Sequence, residues 1–200
     1  MFSQEMIPLG YMAKRIATRP EWISNPKVSQ ILSVCSCTSD DFADYVEFWQ
    51  HNGFWFFDTP DTIVELAHEH AIDLSALRWF YYEAYEQEYD EEEGSWSSYS
   101  PEESFKTQVV RPSVMEAKGF DIVNNTCGQM VECSPISCNH LADELSVNSD
   151  CLLSTFEEAY EVVSGGAMSS CEPGPYRILA VFEIGSPTTN GKNNALLNKP

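Results

Sequence analysis

The pattern that most narrows the fold is a passage used twice. Residues 55 to 67 read WFFDTPDTIVELA, and residues 151 to 163 read CLLSTFEEAYEVV. In each, a short apolar run gives way to a polar cap and then to an amphipathic helix. Each is followed by an alternating run, RWFYYEAYE from Arg78 and RILAVFEI from Arg177. Asp58 and Ser154 stand 96 positions apart, and Tyr85-Glu86 and Phe182-Glu183 stand 97 apart, so the offset survives from the bridge into the strand. Upstream of each passage come a strand, a Cys-containing loop and a helix marked by FAD or LAD. The order spans residues 28 to 89 and recurs over 120 to 184. The reading is an α+β protein of two related β-α-α-β modules with mostly antiparallel sheet. An N-terminal module covers residues 1–118, a C-terminal module 119–185, and a polar tail 186–200.

Local signals fill in the elements. LGYMAKRIAT, from Leu9, alternates as a strand, and VSQILSVC, from Val28, is apolar and β-branched enough for a second. TSDDFADYVEFWQHNG puts Phe42, Tyr45, Val46 and Trp49 at helical spacing behind a Ser39 cap, with Gly53 as the stop. Thr59-Pro60 caps and starts a helix whose apolar face holds Ile63, Val64, Leu66, Ala67 and His70, with His68 on the wet side. LRWFYYEAYEQEYD is a long strand closed by the turn EEEGSW. FKTQVV and FDIVNNTC read as strands, SCNHLADEL as a short helix, STFEEAYEVVSGG as a helix with a Ser154/Glu157 capping box, and PYRILAVFEI as a final strand. FWFF is core filling between helices.

Charge sets the class of partner. The formal net charge is −20, from 31 acids against 11 bases. Residues 40–103 hold eighteen Asp or Glu and a single base, Arg78, together with most of the chain's 25 aromatics. Acidic disordered tails are poor in aromatics, so this is a folded region with an acidic exterior. Such a surface disfavours direct contact with nucleic acid or anionic membrane and favours a basic protein partner. The opening MFSQEMIPLG has neither a basic start nor a long apolar run, and the seven cysteines are odd in number and irregularly spaced. Both point to reduced thiols and a cytoplasmic setting.

The segments FWFFDTP, ECSPISCN and EPGPYRILAVF resemble stretches of a group of bacterial proteins of about this length that have no established activity. The likeness runs through most of residues 9–184. It implies a bacterial origin and transfers no site residues.

Three sets of residues could carry function. Cys127, Cys133, Cys138 and His140 fall within fourteen residues, which suggests zinc. Their spacings are not those of paired knuckles, and a tetrahedral site would need Cys35-x-Cys37 to fold across. The plainer reading is small buried thiols, with no metal and no cofactor. Cys133 or Cys138, in a Ser-Pro loop before a helix, could act as a nucleophile with His140, His51, His68 or His70 as base. No Gly-rich oxyanion loop, Walker, dinucleotide or HExxH pattern accompanies them, so the chain reads as a non-enzyme. Asp40, Asp44 and Glu47, and then Asp61, Glu65 and Glu69, form acid rows along two helices. Their usual meaning is a solvated face. Their density in one half of the chain points instead to an interaction or inhibitor-type protein that occupies a basic, nucleic-acid-handling surface. The alternative is a Cys/His enzyme or ligand-binding protein using the Cys127–His140 loop.

Overall fold

The computed structural model describes residues 5–42, 52, 54–99, 108–124, 131 and 133–187. Strands β1 (Met6–Arg15), β4 (Asp40–Asp41), β5 (Arg78–Asp90), β6 (Ser95–Ser98), β7 (Glu116–Asn124) and β8 (Tyr176–Ile184) make one antiparallel sheet. Its order is β4-β1-β5-β8-β7, with β6 folded back on the end of β5. Two short strands, β2 (Ala17–Thr18) and β3 (Gln30–Ile31), form a separate ribbon. The helices are α1 (Pro60–Glu69), α2 (Pro135–Cys138) and α3 (Phe156–Ser164), with a 3₁₀ turn at Leu141–Asp143. The fold is mixed helix and mostly antiparallel strand.

The aromatic run of β5 lies mid-sheet because it can be covered on both faces: Trp79 through Tyr85 are all buried. Glu83 faces Ala180 where β5 and β8 pair. The boundary drawn at residues 118/119 falls inside β7, and strands from either side of it, β5 and β8, are neighbours.

Two bridges cross the outer strands in the same way. β1 bulges at Gly10 (φ 136°) and β7 at Gly119 (φ 143°), a region that favours glycine. A Cβ at Gly10 would lie 2.6 Å from the Phe57 carbonyl oxygen, and one at Gly119 would lie 2.5 Å from that of Leu153. Beside each bulge the backbones exchange paired hydrogen bonds, Tyr11 with Phe57 (2.8 and 3.0 Å) and Phe120 with Leu153 (2.8 and 2.9 Å). An asparagine organises each bridge. Asn52 Nδ2 donates to the Leu9 carbonyl, and its Oδ1 accepts from the N–H groups of Phe54 and Phe56. Asn148 Nδ2 donates to the Lys118 carbonyl, and its Oδ1 accepts from Asp150 and Leu152. Trp55 and Cys151, 96 positions apart, both take the left-handed conformation (φ 64° and 63°). FWFF fills core through Phe54, Phe56 and Phe57, while Trp55 is 44% exposed.

Several expectations need correction. Asp40–Asp41 pair with Lys14 and Arg15 as β4, so Ser39 starts no helix at that point, and its buried Oγ has no hydrogen-bond partner among the described residues. The rest of the helix expected over residues 39–53 lies mainly outside the described residues, as do residues 105–107 of FKTQVV and 188–200 of the tail. VSQILSVC pairs as strand only at Gln30–Ile31. α3 is capped by Thr155 with Glu158, one residue beyond the expected pair, because burial of Ala159 and Val163 sets the phase. Glu158 accepts from the N–H groups of Ser154 and Thr155, both at 3.0 Å. α1 is capped by Thr59 as expected, but His70 is its exposed C-cap rather than a core residue.

Candidate functional site

The thiols are brought together from two distant loops. Near the end of β1 stands Lys14, whose side chain is buried and whose Nζ donates to the carbonyls of Ser33 (2.7 Å), Val34 (3.1 Å) and Cys35 (3.0 Å). On β7, Asp121 is fully buried. Its Oδ2 accepts from Ser33 Oγ (2.9 Å) and the Val34 N–H (2.8 Å). β1 and β7 lie three strand spacings apart, about 14 Å. Residues 33–35 therefore cross the sheet between two buried charges, one holding carbonyls and the other an amide. This crossing is why VSQILSVC does not continue as a strand.

The same aspartate reaches the second loop. Asp121 Oδ1 accepts from Ser134 Oγ (2.6 Å) and the Ile122 N–H (2.9 Å). Asn124 at the end of β7 pairs with Cys133: its N–H donates to the Cys133 carbonyl and its Oδ1 accepts the Cys133 N–H. Burial pushes the Asp121 carboxyl upward, and the four hydrogen bonds it accepts pull the other way.

Further bonds lay the N-terminal segment on the second loop. Trp22 Nε1 donates to the Ser137 carbonyl, the N–H groups of Ser24 and Asn25 bond the Asp143 carboxylate, and the Leu32 N–H donates to the Asp150 carbonyl.

The result is a cluster of four thiols. Cys35 Sγ and Cys138 Sγ are 3.8 Å apart. The sulfurs of Cys35, Cys37 and Cys138 all lie within 4.8 Å of one another. Cys133 lies near enough to Cys37 and Cys138 to interact with both. Contact with Cys133 and then Cys35 lowers the Cys138 thiol, while contact with Cys138 pushes Cys35 up to about 11 and Cys133 up to about 12. Cys37 is raised by Cys133 foremost. Cys151, buried elsewhere, is raised to about 12 by desolvation.

Of the residues proposed from sequence, Cys133 and Cys138 stand in this cluster, and Cys127 lies outside the described residues. His140 stands outside the cluster; its Nδ1 lies 2.9 Å from the Trp22 carbonyl, to which it donates. Cys35 and Cys37, the missing half, sit in the loop that Lys14 and Asp121 fix. A cleft of about 380 Å³ opens beside exposed Cys37, lined in part by Arg15, Trp22 and Thr38.

The acid rows are elsewhere. Asp61, Glu65 and Glu69 are exposed on α1, away from buried Ile63 and Ala67. Asp40 belongs to β4, and Asp44 and Glu47 lie outside the described residues. Of the acids counted with the acidic exterior, Glu83 is buried and Glu88 is half-buried, and each is paired within the chain. Buried Glu83 takes both a bidentate bond from Arg111 (2.6 and 2.5 Å) and the Tyr81 hydroxyl (2.8 Å). Glu88 takes Arg177, which also lies 3.5 Å over the Tyr99 ring. Glu183 takes Arg78 at 2.7 Å twice and Lys118 at 2.9 Å. The Arg78 guanidinium foremost, then Lys118, holds the Glu183 carboxyl down to about 2 against the opposing effect of burial.

No protein-family model, curated protein sequence or solved structure matches this chain. No helix among the described residues is long and apolar enough to cross a membrane.

Proposed function

We propose that this chain is an acidic interaction protein of inhibitor type, built from a duplicated module, that occupies the basic surface of a nucleic-acid-handling partner. One observation carries the reading: acids stand exposed along both long helices, while several of the bases are engaged within the chain and Arg15, Arg19, Lys27 and Arg111 are the exposed ones among the described residues. Lys14, Arg78, Arg111, Lys118 and Arg177 are engaged by backbone carbonyls or carboxylates of the chain itself. Asp61 and Glu65 on α1 are exposed, and so are Glu157 and Glu161 on α3, each 96 positions further on. Residues four apart on a helix are separated by about 6 Å, close to the spacing of successive backbone phosphates.

Duplication is supported by the two bridges. In this reading β1 with Gly10 is the counterpart of β7 with Gly119, Asn52 of Asn148, α1 of α3 and β5 of β8. The repeat then opens at β1 rather than at residue 28. Binding is driven by charge steering and site blockage, so it weakens with salt.

The test is titration of the full chain against a panel of purified nucleases and other basic nucleic-acid-binding proteins, with DNA as competitor. Expected are a DNA-competable complex, a steep loss of affinity between about 50 and about 200 mM salt, and weakening by the combined Asp61→Asn, Glu65→Gln, Glu157→Gln and Glu161→Gln changes. No complex across the panel, or one indifferent to salt and to these changes, overturns the reading.

A further inference from the structure

We propose that Cys35, Cys37, Cys133 and Cys138 form a tetrathiolate site for one Zn²⁺, a closed structural centre that ties the residue 33–37 loop to the 133–138 turn. The inference is independent of the acidic-surface reading.

Geometry is the first support. A zinc–sulfur bond is about 2.3 Å, so the edge of a regular ZnS₄ tetrahedron is about 3.8 Å. The Cys35–Cys138 sulfur separation is 3.8 Å, far beyond the ~2.05 Å of a disulfide. Three sulfurs lie mutually within 4.8 Å, and Cys133 touches two of them. Three of the donors thus have the spacing that a closed site needs, and Cys133, from the same turn as Cys138, stands next to Cys37 and Cys138 as the fourth.

Donor chemistry selects the ion. All four donors are soft sulfur, which suits zinc and disfavours magnesium or calcium. Asp121 is not a fifth ligand, because both its oxygens already accept two hydrogen bonds each. With four protein ligands no open position is left for substrate, so the centre is structural rather than catalytic. Binding releases the thiol protons and involves no electron transfer.

Preorganisation is the second, separate support. Thiols that merely fill core need no scaffold, yet here two fully buried charged side chains are devoted to the loops that carry them. Lys14 fixes the carbonyls up to Cys35 itself, and Asp121 bonds both loops at once, through Ser33 and Val34 on one side and Ser134 on the other. Such outer partners hold a metal's ligands in place before the metal arrives. Cys37 is exposed and Cys133 and Cys138 are half-buried, which also departs from the usual burial of inert cysteine.

The test uses the full chain purified under reducing, chelator-free conditions. Elemental analysis should give one zinc per chain, and replacement by Co²⁺ should give thiolate-to-cobalt charge transfer with the d–d bands of a tetrahedral sulfur site. After dialysis against a chelator, Cys35→Ser and Cys133→Ser should each have lost at least tenfold more zinc than wild type, while Cys171→Ser, outside the cluster, should match wild type. If the serine variants fail to fold, alkylation of the wild-type chain decides. With zinc bound, Cys35, Cys37, Cys133 and Cys138 should resist iodoacetamide while Cys171 reacts, and stripping the metal should expose all four. A chain without zinc whose four thiols react at once would overturn the proposal. So would one iron per chain, a cobalt spectrum of oxygen and nitrogen ligands, protection that ignores the metal, or equal zinc loss in Cys171→Ser.

Discussion

Replacing Asp121 by asparagine keeps the volume and removes one acceptor from a fully buried group that joins both thiol loops. The carboxylate accepts four hydrogen bonds, two on each oxygen, and each oxygen serves one hydroxyl and one backbone N–H. An amide has one acceptor oxygen, so whichever way it is turned its NH₂ faces a hydroxyl, which can reverse, and an N–H, which cannot. The orphaned buried N–H costs about 1–3 kcal/mol. The bonds that remain go to a neutral oxygen and are each weaker by roughly 1 kcal/mol. Relief from burying a charge offsets part of this. The net loss is about 3 kcal/mol, which for a domain of this size lowers Tm by roughly 6–12 °C. Urea unfolding in reducing buffer with a chelator isolates the effect from any bound metal. Ser134→Ala, which removes one donor only, should cost about 1 kcal/mol in the same assay. If Asp121→Asn unfolds within about 0.5 kcal/mol of wild type, the aspartate does not hold the two thiol loops as a charged acceptor, and the account of the cluster's preorganisation fails.

Two further perturbations test other parts of the structure. Gly10→Ala and Gly119→Ala each place a Cβ on a backbone carbonyl, at 2.6 and 2.5 Å, in a strained φ region. Each should destabilise by about 2–4 kcal/mol in urea unfolding, and a large cost at one site with none at the other would break the equivalence of the two bridges. The Glu183 carboxyl is held at about 2 in the fold against 4.5 as its ordinary value. A depressed carboxylate contributes stability that is fully present above about 4.5 and lost as pH falls towards about 2. Glu183 is partly solvated, so after allowance for screening the pH-dependent part is about 1 kcal/mol. Acid unfolding of Glu183→Gln should therefore be flatter than wild type between those pH values, and an unchanged slope would refute the assignment.

What could be read from the chain was local. The Thr59 cap, the Pro60 start and the Ile63/Ala67 spacing define α1 within a few residues, and the alternation of RWFYYEAYEQEYD and PYRILAVFEI defines β5 and β8 without reference to any neighbour. The capping box of α3 slipped by one residue because STFEE offers two overlapping patterns, and only burial of Ala159 and Val163 chooses between them. VSQILSVC carries a valid strand pattern. Its carbonyls are nonetheless claimed by an ammonium 19 to 21 residues upstream, and its Val34 amide by a carboxylate 87 residues downstream. Periodicity has no access to such partners. The internal pairing of Glu83 and Glu88 is of the same kind, because an acid in an alternating strand is assigned to water until a distant Arg111 or Arg177 claims it.

The thiol cluster was half legible, for a reason that lies in the loops themselves. Cys133-x4-Cys138 and Cys35-x-Cys37 are each too short to encircle an ion, and a paired-knuckle pattern expects both pairs in one small module. Here the pairs are about a hundred residues apart and meet only because β1 and β7 stand on opposite sides of the β5–β8 pair. The sequence did hold a signal of that meeting in its buried charges. Lys14 interrupts the apolar strand GYMAKR, and Asp121 interrupts GFDIVN, and an ion inside a sheet has to answer to something polar. What they answer to is the same three-residue crossing. A crossing held at both ends sets Cys35 and Cys37 over the second loop whether or not a metal is bound. Any ion taken there adds a cross-link over about a hundred residues of chain to a site already formed, where each alternative pairing of the loops would leave a buried charge without its partner.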